Sequence, residues 1–157
     1  KGSKVKKTQE NDSLGYTEWT LKNGIKVIVR PSTLKADEVF VTATSKGGLS
    51  MLTDEEYYQG AFLGMVMGQS GISKFSATEL AKQLSGKSAY ASLGAGEYEH
   101  SVNAGGSPKD IETILQLIYL NFTSPRFDET DLENLKKMYV PYFKNMEVDP
   151  GYISQRE

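Results

Sequence analysis

The sequence contains no cysteine. Disulfide bonds, thiolate metal sites and a cysteine nucleophile are therefore excluded, and the chain is compatible with either the cytosol or an oxidising compartment. Histidine is nearly absent as well, because His100 is the single one, whereas a zinc site built on histidine needs several converging ligands. The sequence thus predicts no metal-ligating, cofactor-binding or catalytic residues in this chain.

An excess of one charge and a long apolar run are also missing. Eighteen basic and twenty acidic residues give a formal net charge of -2, and because the two signs are mixed along the chain, nothing indicates a nucleic-acid partner. The longest apolar stretch, residues 61–67, is far shorter than the roughly 20 residues that cross a bilayer. We therefore expect no membrane span.

Residues 1–13 are polar apart from Val5. This composition predicts a linker or disordered lead-in and does not resemble a secretory leader. Residues 14–157 are predicted to form a single domain, since a chain of 157 residues is long enough to bury a core. The chain begins without Met and stops at Gln155-Arg156-Glu157, so we expect a truncated fragment or a mature internal piece of a longer protein.

Alternating apolar and polar residues predict strands. Asn23-Gly24 between two such runs is a strong hairpin signal, because both residues tolerate positive φ, and Gly94-Ala95-Gly96 predicts a second hairpin in the same way. The five predicted strands are Glu18 to Leu21, Ile25 to Val29, Val39 to Thr44, Ser88 to Leu93 and Tyr98 to Asn103.

Capping residues and apolar spacing predict four helices. Thr53 and Ser76 are expected N-caps, the latter with Glu79 in a capping box, Ser107-Pro108 opens the third helix, and Asp128 caps the fourth. The apolar residues expected to be buried are Tyr58, Ala61, Phe62, Met65 and Val66 in the first helix, Ile111, Ile114, Leu115, Ile118 and Tyr119 in the third, and Leu132, Leu135, Met138, Tyr139 and Phe143 in the fourth. The order of elements predicts an α+β fold, a mainly antiparallel sheet with helices on one face.

Residues that suggest chemistry each have a simpler structural interpretation, which we favour. His100 could be a lone ligand or a general base, but it lies in an alternating strand and fits a strand-surface side chain. Asp54-Glu55-Glu56 suggests paired carboxylates, yet acids in a first helical turn are what the helix dipole favours. The glycines at 94–96 and 105–106 lack a complete phosphate-binding motif, so turns account for them. Most tyrosines fall at core spacing, so packing is expected before a binding surface.

Beyond these local signals, the chain resembles a known family. The sequence W-T-L-K-N-G-I-K-V-I-V-R-P (Trp19 to Pro31), with Gly47-Gly48-Leu49-Ser50, is similar to the opening of a peptidase domain of the pitrilysin/insulinase (M16) family. The segments Gly71 to Phe75, Leu84 to Lys87, Gly106 to Asp110 and Leu117 to Asp128 resemble second-half domains of bacterial members. The similarity covers about residues 14–150, through the order and spacing of motifs that are not individually specific.

The resemblance implies a non-catalytic domain. Catalytic M16 domains carry His-x-x-Glu-His on their first helix, where the histidines bind zinc and the glutamate is the general base. The functional positions fall on Phe62, Met65 and Val66 of this sequence, none of which binds zinc or moves a proton. Zinc is then expected in the catalytic half of the parent enzyme, whereas this helix is expected to fill its own core.

Two functions follow from the resemblance. The first is a domain that forms part of the substrate chamber of a zinc peptidase and helps bind peptide, with a catalytic M16 domain in the same polypeptide or in a partner subunit. Peptide is then expected to add along an exposed sheet edge. The second is a structural or partner-binding subunit of the same fold, with no link to proteolysis. The compartment is not determined by the sequence, and the resemblance favours the periplasm over the cytoplasm.

Overall fold

The computed structural model describes residues 2–146 and 148–156. The chain divides into two compact units, residues 1–37 and residues 38–157. This places a boundary between residues 37 and 38 that the sequence did not indicate. The predicted side-chain packing of Ala61 and the predicted cut end at Glu157 lie outside the part that the structure describes.

The first unit is a three-stranded antiparallel sheet in the order β1-β2-β3. Its strands are β1 (Val5–Asn11), β2 (Tyr16–Leu21) and β3 (Lys26–Val29). The predicted hairpin is confirmed, with Gly24 at φ 89° and the Leu21 amide donating to the Ile25 carbonyl at 2.8 Å.

Strand β1 corrects the prediction of a linker or disordered lead-in. Residues 5–11 are regular strand and pair antiparallel with β2. Their side chains are almost all exposed, so β1 is a polar edge strand whose order comes from main-chain pairing and not from apolar burial.

The second unit has an antiparallel sheet in the order β4-β6-β5. Its strands are β4 (Val39–Lys46), β5 (Ala89–Ala95) and β6 (Glu99–Gly106). The turn between β5 and β6 lies at residues 96–98, two residues later than predicted. Gly94 pairs with Ser101 inside the ladder, because glycine lets the two strands approach closely there; a Cβ at Gly94 would lie 2.7 Å from Ser101 Oγ.

Among the described residues, the second unit also contains five α-helices. They are α1 (Asp54–Ser70), α2 (Ala77–Gln83), α3 (Ile111–Thr123), α4 (Glu129–Met146) and α5 (Pro150–Arg156). Both predicted caps on Thr53 and Ser76 are present as capping boxes. Asp128 caps α4, where its carboxylate accepts from the Thr130 amide at 2.9 Å. Helix α5 was not predicted, and α3 starts three residues later than expected, after a short 3-10 turn at Pro108–Asp110.

The core of the second unit lies between β6 and α3. Val102 and Ala104 alternate on one face of β6, and Ile114 and Leu117 come from α3; the exposed fraction of these side chains is 7% or less. Helices α1 and α3 pack against this sheet. The α+β class predicted from the sequence is therefore confirmed.

The predicted burial of the helices is wrong in several places. Helix α1 was expected to be well buried, but Tyr58 is 74% exposed, and on α3 Leu115 and Tyr119 are 54% and 66% exposed. Of the residues predicted for α4, only Leu135 is buried. The interpretation of most tyrosines as core residues is also wrong, because side chains such as Tyr58 and Tyr119 are exposed. Apolar spacing identified the helices, but their apolar arcs are wider than the faces that this unit covers.

Within the described residues, no helix is long and apolar enough to cross a membrane.

Candidate functional site

Helix α1 carries the residues that the resemblance aligns with the zinc-binding positions. Phe62 is 43% exposed and Met65 is 37% exposed, while Val66 is half-buried. None of these side chains offers an imidazole or a carboxylate, so they supply neither the nitrogen and oxygen zinc ligands nor the general base of the family motif. The expectation that this helix fills its own core is wrong for Phe62 and Met65.

The ring of Phe62 packs instead on helix α4. It meets the ring of Phe143 edge-on, with centroids 6.1 Å apart, and Tyr139 and Tyr142 lie 6.1 Å and 5.6 Å from Phe143. Such edge-on and tilted contacts are favourable geometries for aromatic pairs. Where α1 faces α4, the structure therefore has an aromatic cluster.

Asp54, Glu55 and Glu56 form the first turn of α1. The Thr53 amide and hydroxyl donate to the Glu56 carboxylate at 3.0 Å and 2.9 Å. These two hydrogen bonds hold the pKa of Glu56 below its ordinary value, and the bond from the Thr53 amide has the larger effect. Glu56 thus completes a capping box with Thr53, a role that was not predicted for it from the sequence.

Metal-ligating side chains do not converge in the described residues. Across residues 2–146 and 148–156, no three histidine, cysteine, aspartate or glutamate side chains lie close enough together to hold a metal ion. The absence of zinc from the chain nevertheless stays a prediction, which a metal analysis can test.

His100 has a structural contact that the sequence did not reveal. Its side chain is exposed, as predicted for a strand-surface residue, but its Nε2 accepts a hydrogen bond from the Gly48 amide at 3.3 Å. This imidazole therefore joins β6 to the loop before α1.

A groove of about 340 Å³ lies between α1, α2, α3 and strand β5. Its lining is made of small and apolar residues with three neutral polar ones, namely Gly64, Met67, Gly68, Gly71, Ile72, Ala77, Leu80, Ala81, Leu84, Ala89, Tyr90, Ala91, Ser92, Leu93, Leu117 and Asn121. A volume of this size is within the usual range of small-ligand sites, about 300–1,000 Å³. We call this feature the β5 groove.

The β5 groove follows the edge of a strand. Five consecutive residues of β5, Ala89 to Leu93, line it, and since successive side chains point to opposite faces, the groove runs along the backbone. Strand β5 pairs with β6 on one side and is the end strand of its sheet as far as the structure describes the chain. Its outer amide and carbonyl groups are therefore placed to pair with an added strand.

Comparisons with known proteins give concordant results. No protein-family model matches the chain. A probable zinc protease PqqL of Haemophilus influenzae is 22% identical over 136 residues, and a PQQL-like zinc protease of Arabidopsis thaliana is 28% identical over 115 residues. The ferredoxin protease FusC, solved in complex with Arabidopsis ferredoxin, superposes on 96% of this chain with a TM-score of 0.80 and 19% identity. The periplasmic protease PqqL of Escherichia coli superposes on 95% with a TM-score of 0.78 and 17% identity.

The chain shares its fold with M16-family peptidases and is similar in sequence to zinc proteases.

The chain corresponds to one part of much longer proteins. The chain spans 15% of the H. influenzae relative and 10% of the Arabidopsis relative. It covers 17% of FusC and 16% of the E. coli protease. In these proteases the region equivalent to this chain is followed or preceded by further chain, so their activities belong to the whole proteins.

Proposed function

We propose that this chain is a non-catalytic part of a zinc-dependent metallopeptidase, where it helps bind peptide and forms part of the substrate chamber. The observation that carries the proposal is the free edge of β5 along the groove. A peptide that adds a strand to a sheet edge gains main-chain hydrogen bonds, which give affinity without requiring a fixed sequence.

The residues of α1, the helix that corresponds to the zinc-binding helix of catalytic members, support the non-catalytic role. Phe62, Met65 and Val66 occupy its functional positions in our alignment, and Phe62 packs on Phe143 of α4. The zinc and the general base then belong to a catalytic M16 domain, in the same polypeptide or in a partner subunit. The periplasm is the proposed location, supported by the name of the E. coli protease that shares the fold.

Peptide addition to β5 can be tested with the isolated chain. The probe is a nine-residue peptide of Ser, Thr and Val with Phe at its centre, followed by ¹⁵N-resolved NMR. The proposal expects shift changes at the amides of Ala89 to Leu93 and none in β1 to β3. A peptide of the same sequence with alternate backbone nitrogens methylated is the control, because it has lost the amides that pair with β5. No binding at millimolar peptide, or equal binding of the methylated peptide, would contradict the proposal.

One observation favours a second candidate function, a structural or partner-binding role with no link to proteolysis. Tyr58, Phe62 and Met65 of α1, with Met138 and Tyr142 of α4, are between 37% and 74% exposed. Apolar exposure on this scale is typical of protein interfaces. Deletion of the domain from the longer protein distinguishes the two roles: a chamber domain is required for peptide cleavage, whereas a structural subunit is required only for assembly.

A further inference from the structure

We propose that the β5 groove selects peptides with a bulky apolar side chain, which enters the space beside Gly64 and Gly68 of α1. This inference rests on the proposed function, because it assumes that an extended peptide pairs with β5. It adds a specificity that main-chain pairing alone does not provide.

Two glycines of α1 border empty space. Gly60, Gly64 and Gly68 are spaced four residues apart and share one face of the helix. A Cβ at Gly60 would lie 2.6 Å from Leu52 Cδ1, so packing accounts for that glycine. A Cβ at Gly64 or Gly68 would meet nothing within 4 Å. Glycine weakens a helix interior relative to alanine, and at these two positions no neighbour requires it.

The space beside these glycines belongs to the β5 groove, which both residues line. An apolar cavity of about 150 Å³ is enough to hold a benzene ring, and the groove has about 340 Å³. The side chain of Phe or Leu therefore fits together with part of the peptide backbone.

The electrostatics of the groove match a neutral occupant. None of the side chains that line it is charged. Its amide side chain, Asn121, already donates to the Leu117 carbonyl of its own helix at 2.9 Å. A Lys or Asp side chain that enters the groove would lose water without gaining an ion partner, which is unfavourable. A large apolar side chain would bury its surface against leucine, isoleucine and methionine, which is favourable.

Strand geometry restricts this preference to one side of the peptide. Successive side chains of an extended peptide point in opposite directions, so only alternate residues can face α1. We therefore expect one dominant position in the peptide, with a much weaker preference at its two neighbours.

The experiment compares peptides and groove variants by isothermal titration. The probes are nine-residue peptides of Ser and Thr whose central residue is Phe, Leu, Asp or Lys. The proteins are the wild-type chain, Gly68→Leu, which fills the groove, and Gln69→Leu. The last is a matched control, because it places the same side chain one residue further along α1, at an exposed position outside the groove lining. Melting temperatures confirm that both variants are folded.

The wild-type chain and Gln69→Leu are expected to bind the Phe and Leu peptides at least tenfold more tightly than the Asp and Lys peptides. Gly68→Leu is expected to lose most of this preference while its melting temperature is unchanged or higher. If peptides bind to β5 with no preference, or if Gly68→Leu retains the preference, the groove inference is wrong while the proposed function stands. If no peptide binds the wild-type chain, the proposed function fails and the inference fails with it.

Discussion

Substitution of Gly48 by alanine should be among the most damaging single changes in the second unit. Gly48 has φ 79° and ψ -160°, a region that is almost restricted to glycine. A Cβ there would lie 2.7 Å from the Glu99 nitrogen and 2.9 Å from the Glu97 carbonyl carbon, and in still closer contact with the Gly96 carbonyl oxygen. These are backbone atoms, so the loop has to move away from the β5–β6 turn.

The cost follows from the bonds that this movement breaks. The Leu49 amide donates to the Gly96 carbonyl at 2.9 Å, and the Ser50 amide donates to the Glu97 carbonyl at 2.8 Å. The Gly48 amide donates to Nε2 of His100. The backbone conformation costs about 1–3 kcal/mol and each lost hydrogen bond about 0.5–1.5 kcal/mol. We expect Gly48→Ala to lower the free energy of unfolding by roughly 3–5 kcal/mol.

Gly86→Ala is the matched control. Gly86 has a similar φ of 77°, but a Cβ there would meet nothing within 4 Å, so the expected cost is only about 1–2 kcal/mol. Urea unfolding followed by circular dichroism reports the second unit, which contains all the helices described here. Fluorescence of Trp19, the single tryptophan, reports the first. Equal losses for the two variants, within about 0.5 kcal/mol, would show that the contact between the loop and the turn is not tight.

Three further predictions concern the core, a helix cap and the metal content. Ile114→Ala removes a fully buried side chain and should cost about 2–5 kcal/mol, whereas Leu115→Ala, at a position 54% exposed, should cost less than about 1 kcal/mol; urea unfolding compares them. The Ser76 amide, and then its hydroxyl, holds the pKa of Glu79 below its ordinary value of 4.5. The stability from this carboxylate is therefore present above pH 4.5 and is lost as pH falls through the lower folded-state pKa; Ser76→Ala should raise the pKa of Glu79 in an NMR titration, and an unchanged pKa would contradict this. The chain purified from zinc-containing medium should contain no stoichiometric zinc by atomic emission, and one zinc per chain with chelator-sensitive peptide cleavage would show that our zinc-site alignment is wrong.

Elements with local chemical signals were predictable from the sequence. Asn23-Gly24 marked the first hairpin because its conformational requirement is local, and Thr53 and Ser76 marked helix starts because a cap involves neighbours only three residues away. Strand β1 was missed because its polar side chains carry no alternating pattern. Strand β1 is ordered by its pairing with β2. The seven residues of β1 alone do not reveal this pairing.

The groove depended on tertiary structure and was not predicted. It forms where α1, α2 and α3 meet β5, and the only hint in the sequence was the spacing of Gly64 and Gly68 within an apolar helix. The burial of α1 was wrong for a related reason. A wide apolar arc shows that a helix has a large apolar surface. It does not show which side chains of that surface are buried against other elements of the same unit.

The aromatic rings that α1 and α4 present to water have a practical consequence for work on the isolated chain. Tyr58 and Tyr142 are 74% and 56% exposed, so dyes that fluoresce on apolar surfaces have binding sites on the folded protein. A thermal-shift assay based on such a dye would begin from a high signal and understate the unfolding transition. Spectroscopic probes that need no added dye are therefore the better choice for this domain.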